Sequence, residues 1–124
     1  MEKIRSHKDL KVYQLAYASA LEIHRLTKSF PIEEKYSLID QIRRSSRSIC
    51  ANLAEAIRKR RYIKNFISKL SDSEAEANET EVWLDFAESF NYIDQKTHDD
   101  LYDNYEHIIA MLINISNQPE KWVL

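Results

Sequence analysis

Residues Tyr62–Phe90 read YIKNFISKLSDSEAEANETEVWLDFAESF, with no proline or glycine. Ile63, Phe66, Leu70, Ser73, Ala77, Thr80, Leu84 and Ala87 recur there at spacings of 3-4-3-4-3-4-3. That is the period of one face of an α-helix, held for about seven turns. A strand would need alternation at every second position. The spacing predicts a helix from about Tyr62 to Phe90. The middle of its seam is small and weakly polar, which lets a neighbouring helix approach closely, with Ser46 as the expected opposite residue.

The same reading extends to both sides. Before it, Ile42, Ser46, Ile49, Leu53 and Ala56 sit at 4-3-4-3, led in by Leu38 and Ile39, which predicts a helix from about Glu33 to Ile57. Arg58-Lys59-Arg60-Arg61 follows as a basic loop, where cations also suit the negative end of the preceding helix. Earlier still, Leu10, Tyr13, Tyr17, Ala20 and His24 follow 3-4-3-4, widened by Ala16, Ile23 and Leu26, for a first helix from about Lys8 to Lys28. Ser29-Phe30-Pro31 ends it, because proline disfavours helix in the residue before it. After the long segment, Asn91-Tyr92-Ile93 turns the chain, and Asp94 is the expected N-cap of a fourth helix. Leu101, Tyr105, Ile108, Leu112 and Ile115 make its stripe, and it ends near Gln118-Pro119. The apolar tail Trp122-Val123-Leu124 is expected to dock on the body of the protein.

Four such stripes with short connectors predict an all-α fold, an antiparallel up-down four-helix bundle, as one domain over residues 1–124. Composition agrees. The chain of 124 residues has no glycine and two prolines, so a fold rich in tight hairpins would have only Asn and Asp to supply positive φ. The single cysteine, Cys50, excludes an internal disulfide. The start, Met1-Glu2-Lys3-Ile4-Arg5, runs into charge rather than an apolar stretch, and no window has the length and apolarity of a membrane span. The expectation is a cytoplasmic protein.

The net charge of −2 conceals a polarity. Residues 1–64 hold 15 Lys/Arg and 7 Asp/Glu, whereas residues 65–124 hold 3 and 13. Such asymmetry bears on partners more than on fold.

Several stretches carry a family resemblance. They are His7 to Ala16 (HKDLKVYQLA), Ser29-Phe30-Pro31 with Glu34 and Tyr36, and above all Gln41 to Ala56 (QIRRSSRSICANLAEA). Phe66, Ala77-Asn78-Glu79 and Asn91-Tyr92-Ile93 add to them. Together they resemble the four-helix-bundle family named after proteins encoded in 23S ribosomal RNA intervening sequences, to which accessory proteins of diversity-generating retroelements are similar. The chain departs from the family pattern at Ala56, where glycine is usual, near Cys50, where proline is usual, and near Tyr13, where tryptophan is usual. The resemblance implies a ring-like homopentamer, contact with RNA or DNA through basic positions, partnership with a reverse transcriptase in the retroelement branch, and no enzymatic activity.

The residues themselves point to a basic patch. Arg43 and Arg47 are one turn apart with Arg44 beside them, and Arg58, Lys59, Arg60, Arg61 and Lys64 continue the charge. Like charges at i and i+4 cost about 0.2–0.5 kcal/mol in a helix, a cost that an anionic partner offsets. Tyr62 offers a ring for base stacking. The competing account pairs these arginines with the acidic second half, within or between subunits. Asp40–Arg44 and Glu55–Lys59 stand at i,i+4, and Glu79 could meet an arginine of the second helix.

Trp83, Phe86 and Phe90 form a second apolar stripe beside the seam of the long helix, which one core does not need, and predict a subunit interface. No histidine has a glutamate three places before it, so the carboxylate-bundle metal motif is missing. Asp103–His107 alone reads as a surface pair, His24 as a packed residue and Cys50 as a small buried one. No cofactor, metal or catalytic set is expected. Two readings stay open: a non-enzymatic oligomer that contacts RNA or DNA through the second helix and the loop after it, and an interaction scaffold whose charged faces serve only assembly.

Overall fold

The computed structural model describes residues 4–122. It has four long helices, α1 (Lys11–Thr27), α2 (Leu38–Arg58), α3 (Ile63–Ser89) and α4 (Gln95–Asn117), with short 3-10 turns at His7–Asp9, Ile32–Glu34 and Pro119–Lys121. There is no β-strand among the described residues.

Side-chain pairs give the direction of each packing. His24 and Thr27 of α1 meet Arg47 and Arg43 of α2, so partner numbers fall as chain numbers rise. Arg44 of α2 meets Glu76 and Glu79 of α3, and Glu55 meets Lys69. Asp85 of α3 meets His98 of α4, while Glu81 faces Glu106. Sequential helices are therefore antiparallel. Asn104 of α4 donates to Ser19 of α1 at 3.4 Å, and α1 packs on both α2 and α4 to close the bundle.

The expected seams of α2 and α4 are buried throughout, and that of α3 is buried except at Ile63, which is exposed. The close approach expected at the small part of α3 is present. The Ser73 hydroxyl donates to the Ile49 carbonyl at 3.0 Å, and the hydroxyls of Ser45 and Thr80 are 2.8 Å apart. A side chain as short as serine's reaches the backbone of another helix only where the two nearly touch. The opposite residue is Ser45 rather than Ser46, whose hydroxyl bonds its own helix at Arg43.

The seam of α1 differs from the expectation. Val12, Ala16, Ser19, Ile23 and Thr27 face inward, and Tyr13 and His24 are only half-buried. Tyr17 is 51% exposed. Two 3-4 stripes run side by side on this helix, and the one with smaller and β-branched side chains fits the interior. The tyrosines instead stack on each other outside, with centroids 6.0 Å apart.

Boundaries shift for local reasons. Leu10 is extended and buried, so α1 begins after it. Pro31 opens a 3-10 turn and Ser37 is non-helical, which delays α2 to Leu38. Glu34 ties that turn together: its carboxylate accepts from the Ser37 hydroxyl, from the Leu38 N–H and from the Tyr92 hydroxyl at 2.8 Å. At the other turn Asn91 takes φ of 61°. Its N–H donates to Glu88 and that of Tyr92 to Ala87, both at 2.8 Å, so an asparagine closes α3 where glycine is more common. Asp94 caps α4 as expected, accepting from the Thr97 N–H at 2.8 Å. Trp122 packs on the core, while Val123 and Leu124 lie outside the described residues.

Candidate nucleic-acid interface

The outward face of α2 reads Asp40, Arg44, Arg47, Ala51, Glu55 and Arg58, all exposed, with Arg43 half-buried at its edge. Its cations have three different fates. Arg44 is held against α3, pairing with Glu76 at 3.1 Å and with Glu79. The local partner Asp40 is not used, because two carboxylates one turn apart on α3 offer the guanidinium a fork.

Arg43 turns instead to α1. Its Nε donates to the Thr27 hydroxyl at 2.8 Å and its Nη2 to the His24 carbonyl at 3.4 Å. These acceptors are neutral and lie at the negative end of α1, so they orient the guanidinium without cancelling its charge. Arg47 places Nη2 3.2 Å from His24 Nδ1. A guanidinium can only donate, so Nδ1 is assigned as acceptor and the ring proton goes to Nε2. Burial, then the cations Arg43, Lys28 and Arg47, hold the His24 imidazole below its ordinary range, which keeps it neutral and able to accept.

Arg43 and Arg47 line one open cleft of about 590 Å³, together with Lys35, Tyr36, Ile39 and Asp40. The sequence pattern names Tyr36 only within a family-like stretch and assigns Lys35 and Tyr36 to a helix, which gives neither a place in a site. Pro31, with Ser37 as a stop before the apolar stripe, was the signal that α2 starts later.

A second basic region follows α2. Arg58, Lys59, Arg61 and Lys64 are exposed, and the Arg61 guanidinium lies 5.7 Å from the centre of the exposed Tyr62 ring. Arg60 does not belong with them. It is 8% exposed and its Nη2 donates to the Ile4 carbonyl at 2.9 Å, because the connector folds it back under the N-terminal segment. Arg5 and His7 join this region instead, lining one cleft with Arg58, Arg61 and the tied-down Arg60. Glu55 pairs with Lys69 at 2.7 Å rather than with Lys59, which stands outside the helix.

The 23S rRNA-intervening sequence protein family matches residues 8–114. The chain belongs to that family. Among solved structures, it is similar to a protein of unknown function from the S23 ribosomal protein family of Bacteroides thetaiotaomicron. The two are 33% identical with a TM-score of 0.76, over 85% of this chain and 97% of that one. No individually curated protein matches the chain. The departure of this family member at Ala56 leaves α2 uninterrupted, with that side chain fully buried.

Two further clusters lie away from the basic face. Trp83, Phe86, Phe90 and Tyr92 pack in series as tilted rings, with centroids 6.0, 5.9 and 5.6 Å apart, and Phe30 anchors the series from the core. Phe86 and Phe90 remain 45% and 52% exposed. The Trp83 indole N–H donates at 3.1 Å to Glu79, the carboxylate that also holds Arg44, so the aromatic row and the basic helix meet there. Across α3 and α4, His98 has Asp85 at 2.8 Å, Asp99 at 2.9 Å and Glu88 at 3.5 Å. Burial pulls this imidazole down, but Asp99 and Asp85 outweigh it and raise its pKa, as suits an imidazolium shared among carboxylates. These three carboxylates come from two helices, which spacing along one helix could not reveal. Cys50 is half-buried beside Tyr13 and Tyr17, and burial pushes its thiol up to about 11. No helix among the described residues is long and apolar enough to cross a membrane.

Proposed function

We propose that the protein is a non-enzymatic, self-associating bundle that holds RNA or DNA on the outer face of α2 and on the connector after it. The observation that supports this reading is the state of Arg43 and Arg47. Both line an open cleft, both are oriented by neutral groups of α1, and neither is paired with a carboxylate among the described residues. Arg58, Lys59, Arg61 and Lys64 extend the cationic surface, with Tyr62 as an exposed ring beside it. Phosphate contacts of this kind give binding that depends steeply on salt and weakly on sequence. The family name makes a structured ribosomal RNA segment the first ligand to try. In this reading the protein works in the cytoplasm, assembles as a homopentamer through the Trp83–Phe86–Phe90 row, and, in a retroelement setting, partners a reverse transcriptase.

The test is fluorescence anisotropy with a labelled structured RNA over a salt series. Wild-type protein should bind at low salt with a negative slope of log K against log salt. Replacing Arg43 and Arg47 with alanine should flatten that slope by about 0.7–0.9 for each phosphate contact removed. Absence of binding to any structured RNA or DNA at low salt refutes the reading.

One observation favours a second reading. Arg44 is already neutralised by Glu76 and Glu79, which is how charged faces that serve only assembly would behave. Under it, Arg43→Glu with Arg47→Glu dissociates the oligomer in sedimentation. An oligomer that persists while RNA binding disappears rules it out.

A further inference from the structure

The cleft at the start of α2 contains an aromatic ring that folding does not use. Tyr36 is 83% exposed and stands in the turn between Ile32–Glu34 and α2. Its hydroxyl has no hydrogen-bond partner among the described residues, and the Lys35 ammonium lies 5.4 Å from its ring centre. The walls on α2 change character along the helix: apolar at Ile39, acidic at Asp40, cationic at Arg43, Arg44 and Arg47. At about 590 Å³ the cleft lies within the range of sites that hold small organic ligands.

We propose that this cleft is a subsite for one unpaired nucleotide, its base stacked on Tyr36 and its phosphates held by Arg43 and Arg47. The inference rests on the nucleic-acid reading above and narrows it to strands whose bases are free. A cationic surface alone accepts duplex and single strand alike, since both present phosphates. A ring face adds something only for a base that has left its own stack, as in single strands, loops and bulges.

Asp40 sets the direction. A carboxylate repels phosphate and accepts N–H donors, so the base edge belongs at the Asp40 end of the cleft. Arg43 and Arg47 follow about 5 and 10 Å further along the helix axis, on the side where a phosphate would lie. Arg44, adjacent in sequence, is excluded as a phosphate ligand because Glu76 and Glu79 occupy it. Only the face of the Tyr36 ring is required, not its hydroxyl.

The experiment uses the full chain with a fluorescein-labelled single-stranded RNA of about twelve nucleotides and a blunt duplex of the same sequence, within the size such sites cover. Tyr36→Ala should weaken single-strand binding about 5- to 150-fold and leave duplex binding and the salt slope unchanged, the effect of losing one stacked base. Tyr36→Phe should bind as wild type. Arg47→Ala should weaken both ligands and flatten the slope. If Tyr36→Ala binds the single strand as wild type while Arg47→Ala still loses both ligands, the subsite is refuted and the basic-face reading stands. If wild-type protein binds neither ligand, both are refuted.

Discussion

Toward α2, helix α3 presents Ala77 between Ser73 and Thr80, the hydroxyls of the last two finding partners in the Ile49 carbonyl and the Ser45 hydroxyl, and at the rim its glutamates meet Arg44. Toward α4 the same helix presents Glu81, Asp85 and Glu88 to a neighbour that brings Asp99 and Glu106, with His98 as the one base among them. The first contact is narrow, fully satisfied in hydrogen bonds and complementary in charge. The second is crowded with acid and leaves polar atoms unpaired among the described residues: Glu81 is 4% exposed with no partner for Oε2, and Tyr105, fully buried on α4, has none for its hydroxyl. Two helices can thus be held by fit at one surface and merely tolerated electrostatically at the next, provided large apolar side chains such as Leu84, Leu101 and Ile108 close the second.

This contrast can be tested from both sides. The largest effect is expected at the narrow contact. Ala77 is fully buried where the backbones approach, so Ala77→Leu should cost about 1–3 kcal/mol in urea unfolding, because extra methylenes there must push the helices apart. A loss below about half a kcal/mol would mean the contact is looser than described.

A smaller effect is expected from pH at the acidic contact. Burial, then the carboxyl of Glu106 and the charge of Asp85, push Glu81 up to about 8. A carboxyl whose pKa rises on folding stabilises fully below its unfolded value and ceases to do so as pH passes the folded value. His98, also raised, contributes with the same sign. The melting temperature should therefore decline by several degrees between about pH 5 and pH 9, and Glu81→Gln should remove most of that slope. Asp94 and Glu34, both lowered by their hydrogen bonds, act oppositely and only in stronger acid. An unchanged slope in Glu81→Gln would place the titration elsewhere.

The smallest effect carries the opposite sign. Tyr105→Phe removes a buried hydroxyl that has no partner and keeps the ring, so stability should rise by about 1 kcal/mol. A loss instead would show that the hydroxyl is bonded in solution.

The sequence disclosed the fold wherever one stripe dominated a helix. On α2, α3 and α4 the period-3.6 pattern named nearly every buried residue, and Asp94 and Asn91 marked the turn between α3 and α4. On α1 two stripes competed, and hydrophobicity favoured the tyrosines although the interior needed the slimmer Val12–Ala16–Ser19–Ile23 set. The candidate site is legible in composition and only partly in pairing. The sequence offers Arg44 both Asp40 on its own helix and Glu79 of α3, and the structure takes Glu79; it offers Glu55 the neighbouring Lys59, and the structure takes Lys69 of α3. Arg60 read as surface charge because nothing in the sequence says that the N-terminal segment lies over it. Tyr36 stands out in the sequence only within the family-like stretch, because a helix begun five residues early gives it no cleft to line.

Cys50 has a practical corollary. Alkylating reagents attack the thiolate, and a thiol whose pKa is near 11 supplies almost none at neutral pH while the helices stay together. As the chain's single sulfhydryl, it should take up a maleimide far more slowly in the native protein than in the unfolded chain, so modification reports unfolding with no label having to be engineered in.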